Sequence, residues 1–253
     1  MSKNNQILKL ESVVVDFDGF KAVNNFNLKI NKGELRCLIG PNGAGKTTVM
    51  DIICGKTKST GGKIIFKQED ITNQEEHIIS RKGIGRKFQI PSVFKELTVK
   101  ENLYVALNSH LGFFRNLFKF FNKEDQIKID EIAEFVGLQN ELDKTAQFLS
   151  HGQTQWLEIA LVVLKEPNLI LMDEPTAGMT DYETSQTATL FNKLKKTQTL
   201  IVVEHDMGFV KEISDIISVM HQGKLLSEGT ATQIENDAKV KEAYLGKKGI
   251  TNA

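Results

Sequence analysis

A glycine-rich segment at residues 40–48 has the residue types and spacing that bind phosphate. It reads Gly-Pro-Asn-Gly-Ala-Gly-Lys-Thr-Thr and matches the pattern G-x-x-x-x-G-K-[ST] in full. Glycines let backbone N–H groups curl around phosphate oxygens without a Cβ in the way. Lys46 can reach the β- and γ-phosphates, and the Thr47 hydroxyl can bind Mg²⁺. The predicted nucleotide contacts are Asn42, Gly43, Ala44, Gly45, Lys46, Thr47 and Thr48.

Two adjacent carboxylates, Asp173 and Glu174, follow the apolar run 169–172. A buried strand that ends in aspartate is how proteins with such a phosphate-binding loop hold Mg²⁺. Adjacent strand residues point to opposite faces, so the two acids can do different jobs. We assign Asp173 to the metal and Glu174 to the attacking water. A solvated strand end is the alternative, which the upstream phosphate-binding loop disfavours.

The glycine-rich segment is predicted to lie between a strand and a helix. Apolar and polar residues alternate over 7–17 and again over 26–30, as in half-buried antiparallel strands. Residues 35–39 form a short apolar strand that enters the loop, and 46–54 form the helix that follows. A chance match to the phosphate-binding pattern would not be expected to lie between a strand and a helix, so this context favours nucleotide binding.

A helical block interrupts this α/β pattern between about Thr98 and Leu164. Thr98 with Glu101 three residues on is a capping-box signature. The candidate helices are 98–110, 124–137 and 152–165. The block is predicted to be an inserted helical sub-domain.

Strands and a helix resume after the helical block. Residues 169–172 and 200–203 are continuous apolar runs on either side of a predicted helix at 181–196. Such runs are typical of a parallel sheet covered on both faces. Two further runs flank the turn Gln222-Gly223 and predict a hairpin. Short strands are also expected at 64–66 and 84–89.

Composition agrees with a globular protein without a membrane-spanning or strongly charged segment. Of 253 residues, 40% are hydrophobic and 25% charged, with 32 basic and 32 acidic side chains. This balance gives no net field that would attract nucleic acid, so none is expected as a partner. No signal peptide is expected, because residues 1–6 contain no apolar run, and the longest apolar run, 159–164, is too short to cross a bilayer. Cys37 and Cys54 are expected to be buried thiols in a reducing compartment.

Residues 148–153, Phe-Leu-Ser-His-Gly-Gln, resemble the signature motif of ABC transporter ATPases, usually Leu-Ser-Gly-Gly-Gln. In that family the motif contacts the γ-phosphate bound to the opposite subunit. The resemblance therefore implies that Ser150, Gly152 and Gln153 bind the ATP of a second subunit. His151 stands where the usual motif has its first glycine. This departure puts the packing of the motif and the affinity of the dimer in question.

Other family motifs follow in the expected order. Gln89, in Lys-Phe-Gln, is similar to the glutamine that links metal and water to the helical sub-domain. His205 is similar to the switch histidine near the γ-phosphate, although a lone histidine after a strand is more often structural. Residues 177–181 occupy the D-loop position, which implies that Asp181 lies at the dimer seam.

One aromatic residue is expected to stack on adenine. Phe17 occupies the position at which the family places an aromatic side chain against the base. A core position in its strand is the alternative for Phe17, and Phe20 is the competing stacking residue.

The resemblance covers nearly the whole chain and implies an α/β P-loop NTPase fold. Residues 1–90 and 166–253 would form a RecA-like core with an antiparallel β sub-domain, and 91–165 the helical sub-domain. It also implies ATP and Mg²⁺ as cofactors, Mg²⁺ being held by Thr47, Gln89 and Asp173. Implied partners are integral-membrane permease subunits, a second ABC ATPase in a hetero- or homodimer and, indirectly, an extracytoplasmic solute-binding protein. The implied location is peripheral, on the cytoplasmic face of the inner membrane.

Three segments narrow the expected cargo. Residues 148–159, 177–181 and 204–208 resemble one ATPase of the urea importer, within the branched-chain amino-acid group of ABC systems. The tail at 240–246 is similar across that group and in the ATPase of lipopolysaccharide export. Urea import is therefore expected, with branched-chain amino-acid import or lipopolysaccharide export as alternatives.

An aromatic-rich run at 111–121 has two open interpretations, a sub-domain core and a docking surface for the membrane subunits.

Other functions of proteins with this fold match the sequence less well. ATPases of this fold in DNA repair carry long coiled-coil or zinc insertions, and translation factors carry two cassettes. A non-catalytic nucleotide sensor is disfavoured because every catalytic position is filled.

Overall fold

The computed structural model describes residues 5–87, 93–108 and 123–245. In chain order the strands are β1 (Gln6–Phe17), β2 (Phe20–Asn31), β3 (Leu35–Ile39), β4 (Gly61–Phe66), β5 (Glu69–Asp70), β6 (Ile84–Lys87), β7 (Leu169–Asp173), β8 (Thr199–Val203), β9 (Ile216–His221) and β10 (Lys224–Gly229). The helices are α1 (Lys46–Cys54), α2 (Glu76–Arg81), α3 (Val99–Leu107), α4 (Lys123–Val136), α5 (His151–Val163), α6 (Asp181–Leu194), α7 (Met207–Ile213), α8 (Ala231–Asn236) and α9 (Ala238–Leu245). The predicted α/β fold class is confirmed.

An antiparallel sheet of the described residues has the strand order β2-β1-β4-β5. Its long hairpin turns at Asp18 and Gly19, whose φ angles of 50° and 94° suit the tight turn between twisted strands. The Asp16 carboxylate accepts a 2.7 Å hydrogen bond from the Gly19 N–H. Both predicted strands are present, but β2 begins at Phe20 rather than at residue 26.

The second described sheet has the strand order β10-β9-β3-β8-β7-β6. Its β3, β6, β7, β8 and β9 pair in parallel, and β10 pairs antiparallel with β9. Every residue of β3, β7 and β8 is buried, as their unbroken apolar runs predicted. The carboxyl ends of these three strands therefore meet at one edge of the sheet, where ligands bind in open α/β folds.

Two apolar clusters cover the faces of this central sheet. Alternate residues of one strand serve each cluster: Ile170 and Met172 pack toward α3 to α7, while Leu169 and Leu171 pack toward α1 and the antiparallel sheet. The two-residue period of a strand thus lets β7 hold both layers together. The two predicted cysteine positions are confirmed as buried free thiols.

The helical block packs on the central sheet through α5. Thr98 starts α3 with the predicted capping box, accepting from the Glu101 N–H at 3.1 Å. Residues 137–150 between α4 and α5 are irregular apart from one 3₁₀ turn, Ala146–Phe148, and an isolated antiparallel bridge between Thr145 and Thr98. Among the described residues, no helix is both long enough and apolar enough to span a bilayer.

Candidate nucleotide-binding and catalytic site

The glycine-rich loop between β3 and α1 is compressed by two neighbouring strands. A Cβ added at Gly40 would lie 2.2 Å from the Met220 carbonyl oxygen, and one at Gly45 would lie 2.4 Å from that of Ala22. The φ angles of these two glycines are 151° and 101°. Glycine is therefore required at both positions, and the loop is held in a tight curl before the helix begins.

Lys46, the first residue of α1, turns its side chain back into the curl. Its Nζ donates to the carbonyl oxygens of Gly40 at 2.8 Å and Pro41 at 3.2 Å. Burial lowers the pKa of this ammonium, while the nearby carboxylates of Glu174 and Asp173 act in the opposite direction. A desolvated cation at a helix N-terminus favours an anionic ligand.

An open cleft of about 410 Å³ lies along this loop. It brings together the seven loop residues predicted to contact nucleotide, both candidate aromatic residues and two of the three predicted catalytic residues. Its lining consists of Phe17, Phe20, Ala22, Asn42, Gly43, Ala44, Gly45, Lys46, Thr47, Thr48, Glu174 and His205. The residues of four separate segments thus converge on one surface.

Phe17 and Phe20 lie at one end of the cleft, on either side of the β1–β2 turn. The two residues pair across the hairpin, and their side chains are 51% and 66% exposed. Phe17 is therefore not a core residue of its strand. Either ring could stack on a base, so the choice of Phe17 over Phe20 stays a prediction.

Asp173 and Thr47 supply neighbouring oxygen atoms beside the loop. Asp173 is buried at the end of β7, and the nearby Thr47 hydroxyl favours the ionised form of its carboxylate. Burial raises the pKa of this carboxyl, while Arg86, with a nitrogen 4.0 Å away, acts against the rise. Mg²⁺ in nucleotide sites uses one or two such oxygen ligands together with phosphate oxygens, so these two residues fit it.

Glu174 leaves the strand in a strained conformation that turns its side chain toward the cleft. Its φ angle is 48°, a left-handed value that is unfavourable for a residue with a Cβ. The Glu174 N–H donates to the Val203 carbonyl at 2.9 Å. Its Oε1 lies 2.8 Å from His205 Nε2. The two residues assigned to the attacking water and the γ-phosphate are therefore in direct contact.

Glu204 is a positioning residue that the sequence reasoning missed. Its buried carboxylate accepts from the Thr176 N–H at 3.0 Å, the Thr176 hydroxyl at 2.5 Å and the His205 N–H at 2.9 Å. It thereby ties the loop after Glu174 to the loop that carries His205. The sequence signal for Glu204 is the position of an acidic residue directly after a buried strand.

The signature residues do not line the cleft of their own chain. Ser150 begins α5 and forms a capping box with Gln153, accepting from its N–H at 3.1 Å. The Ser150 hydroxyl also donates to Glu183 at 3.0 Å, and Glu183 accepts from the Gly152 N–H. The N-terminus of α5 is therefore bound to the first turn of α6.

His151 makes a further contact beside this cap. Its Nε2 lies 2.8 Å from the Ala177 carbonyl oxygen, in the segment assigned to the D-loop. Asp181, the expected seam residue, is the exposed first residue of α6.

The strand that precedes Gln89 is part of the described structure, whereas Gln89 itself and the aromatic run 111–121 lie outside the described residues. Lys87, the last residue of β6, is buried and pairs with Glu158 of α5 at 3.2 Å. Its Nζ also donates to Gln155. The strand that leads to Gln89 is thus fixed to the helix that carries the signature motif.

Comparison with known proteins agrees with this arrangement. A family model described as "ABC transporter" matches residues 23–177. A probable branched-chain amino-acid transport ATP-binding protein, LivG, from Archaeoglobus fulgidus is 39% identical, covering 95% of this chain and 96% of its own. The high-affinity branched-chain amino-acid transport ATP-binding protein BraF from Pseudomonas aeruginosa is also 39% identical, covering 95% and 98%.

Solved structures share the whole architecture. The ADP conformation of MJ1267, an ATP-binding cassette of an ABC transporter, superposes with a TM-score of 0.82 at 33% identity, covering 95% of this chain and 99% of its own. A nucleotide-free ATP-binding cassette from an ABC transporter gives 0.80 at 34% identity, covering 94% and 98%.

Proposed function

This chain belongs to the ABC transporter family as an ATP-hydrolysing subunit, and from that premise we propose that it powers the import of branched-chain amino acids. The observation that carries the ATPase assignment is the convergence of loop, acid and histidine on one cleft. The cargo is supported by relatives that are 39% identical over nearly their whole length and are named for branched-chain amino-acid transport.

The phosphates of ATP would lie on residues 42–48 and the base against Phe17. Lys46 would contact the β- and γ-phosphates from inside the curl. Thr47 and Asp173 would hold Mg²⁺ with Gln89, and the bound ion would neutralise phosphate charge. The interaction between the Thr47 hydroxyl and the Asp173 carboxylate supports this assignment, because it brings two oxygen ligands close together.

Hydrolysis would depend on Glu174 as general base. Its carboxylate would accept hydrogen bonds from the attacking water, and His205 would hold both that carboxylate and the γ-phosphate. The 2.8 Å contact between Glu174 and His205 supports this pairing. Gln89 would help to orient the water.

Two ATPase subunits would bind ATP between them, head to tail. Ser150, Gly152 and Gln153 lie at a helix N-terminus outside their own cleft, which suits contact with the ATP of another subunit. That subunit is either a related ATPase or a second copy of this chain.

The membrane part of the system would be a permease that binds this chain peripherally on the cytoplasmic face. A solute-binding protein on the other side of the membrane would act indirectly, through the permease. The head-to-tail dimer would close on ATP and open after hydrolysis, and the helical block would pass that motion on.

Urea is the second candidate cargo, and three segments of the chain favour it. The segments 148–159, 177–181 and 204–208, including His151, resemble the urea importer ATPase. The named relatives favour branched-chain amino acids instead. The ATPase does not contact the cargo, so uptake must decide.

Uptake of labelled leucine and labelled urea should be measured in cells that lack the gene. We expect leucine uptake to fall and to return with the wild-type gene or with Glu166→Gln, but not with Glu174→Gln. Glu166 has the same left-handed backbone as Glu174, with φ of 49°, but lies away from the nucleotide cleft. Loss of urea uptake alone would replace leucine by urea, and no change in either would contradict the import proposal.

A further inference from the structure

His151 connects the start of α5 to the loop that follows the catalytic strand. The Ala177 oxygen can only accept, so the His151 Nε2 that lies 2.8 Å away carries a proton and donates. The ring lies beside Gly178, whose φ is 74° and where an added Cβ would come 3.2 Å from Nε2. The loop therefore provides both an acceptor and space for the imidazole ring.

The same alanine closes the turn that carries Glu174. The Ala177 N–H donates to the Glu174 carbonyl oxygen at 3.2 Å, directly after β7. Two consecutive hydrogen bonds thus join His151 to the peptide of the general base. Glu174 has a left-handed φ, and such a conformation persists only where neighbouring contacts hold it.

Further contacts bind the first turns of α5 to α6. The Trp156 indole N–H donates to Thr187 at 2.9 Å, and the Thr187 hydroxyl contacts the sulfur of Met179 at 3.3 Å. Ser150 is bound to Glu183. The loop 174–180 is therefore linked to α5 directly through His151 and Ala177, and indirectly through Thr187 of α6.

We propose that His151 is a positioning residue for ATP hydrolysis, which holds the Glu174 turn through Ala177. This inference rests on the proposed roles of Glu174 and of the signature motif. When the signature motif contacts the nucleotide of the second subunit, the position of α5 is transmitted to this subunit's own general base. Glycine, the usual residue at this place, has no side chain for such a contact.

Hydrogen exchange in the full-length chain tests the contact itself. His151→Leu keeps the bulk and removes the donor, whereas His151→Gln keeps an N–H near the position of Nε2. We expect peptides that cover 174–180 to exchange faster in the Leu variant and at the wild-type rate in the Gln variant. His77→Leu, at an exposed histidine on α2, is the matched control and should change nothing in this segment. Equal exchange in wild type and His151→Leu would overturn the proposal.

Steady-state ATP hydrolysis by the assembled transporter tests the function of the contact. We expect His151→Leu to lower kcat about tenfold, since small misplacement of a catalytic group is costly, while KM for ATP stays within about twofold. His151→Gln should restore most of the loss. An equal loss in both variants, or a change in KM alone, would contradict a positioning role. Wild-type turnover in Glu174→Gln would instead contradict the base assignment, and the exchange result would stand separately.

Discussion

At the residue scale, the two phenylalanine rings of the cleft allow stacking on the base to be tested by comparing two similar variants. Phe17 and Phe20 have the same side chain, face each other across one turn and are both half or more exposed. Loss of either ring should therefore cost little stability. A difference in nucleotide affinity between the two alanine variants will report stacking rather than folding.

We predict that Phe17→Ala weakens ATP binding roughly tenfold, whereas Phe20→Ala changes it less than twofold. Stacking of a base on an aromatic ring contributes about 1–3 kcal/mol by alanine substitution. The measurement is titration of the purified chain with ATP and with inorganic triphosphate, which lacks the base. Binding of triphosphate should be equal in both variants. A larger loss of ATP affinity in Phe20→Ala would move the stacking role to that residue.

The residues of the cleft could be predicted from sequence because local patterns carry them. The loop 40–48 matches a phosphate-binding sequence pattern, and Asp173 and Glu174 follow an apolar run that is recognisable as a strand. Glu204 was missed because its partners are distant along the chain: Thr176 is 28 residues away. The contact between His151 and Ala177 spans 26 residues and was hidden for the same reason.

At the element scale, strands that are buried on both faces were the most predictable. Apolar runs predicted β3, β7 and β8, because short runs without polar residues are typical of strands in a parallel sheet covered on both faces. The start of β2 at Phe20 was missed because the alternation was read from Phe26 onward. The short helices α2 and α7, six and seven residues long, were missed because tertiary contacts rather than sequence periodicity stabilise helices of that length.

The ion pair between β6 and α5 is buried, so removal of one partner should cost more stability than removal of both. Lys87 and Glu158 have side chains 5% and 4% exposed and lie 3.2 Å apart. We predict that Lys87→Met lowers the free energy of unfolding by about 3 kcal/mol, because it leaves the Glu158 carboxylate buried without its cation. The double variant Lys87→Met, Glu158→Leu should recover most of this loss. Urea denaturation of the purified chains measures both.

A surface pair gives the control for this prediction. Lys211 pairs with Glu235, and both side chains are nearly half exposed. Lys211→Met should cost less than about 1 kcal/mol, as exposed pairs do. A cost for Lys87→Met as small as that of Lys211→Met would show that the β6–α5 pair contributes no more than a surface pair.

The junction of α5 and α6 should weaken in acid. Hydrogen bonds from the Thr180 N–H and hydroxyl, the Ser150 hydroxyl and the Gly152 N–H hold the pKa of Glu183 below its usual 4.5. A lowered pKa adds stability that is present above the usual value and is lost as the pH falls through the folded-state value. We predict that Glu183→Gln lowers the free energy of unfolding by about 1 kcal/mol at pH 7. The difference from wild type should shrink below pH 4.5 in denaturation curves.

The matched control for this acid is Glu101, which occupies the same capping-box position on α3. Glu101→Gln removes the charge from a cap of the same kind without touching Ser150 or Gly152. An effect of Glu183→Gln that equals that of Glu101→Gln, or that does not depend on pH, would exclude a special role of the α5–α6 contact.

At the scale of the whole molecule, the proposed ATP site is divided between two places on the chain. The cleft contains the loop and Glu174, the proposed general base, while the signature residues lie outside its lining. In the proposed head-to-tail dimer, a second subunit would bring its signature motif to this cleft. Blocking hydrolysis should accumulate the state in which both halves meet around ATP.

We predict that Glu174→Gln with Mg²⁺ and ATP doubles the mass measured by light scattering, either alone or when mixed with a related ATPase subunit. Adding Ser150→Ala to that variant should prevent the doubling, because the second subunit would lose the hydroxyl proposed to contact the γ-phosphate. Ser150→Ala also removes a helix cap, which costs about 1 kcal/mol of stability. Thr230→Ala controls for this cost, since Thr230 caps α8 with the same kind of capping box to a glutamine. If Thr230→Ala prevented dimerisation as strongly as Ser150→Ala, the effect of Ser150 would be explained by lost stability alone. If the Thr230→Ala variant dimerised normally while the Ser150→Ala variant did not, the result would support the signature motif as the second half of the ATP site.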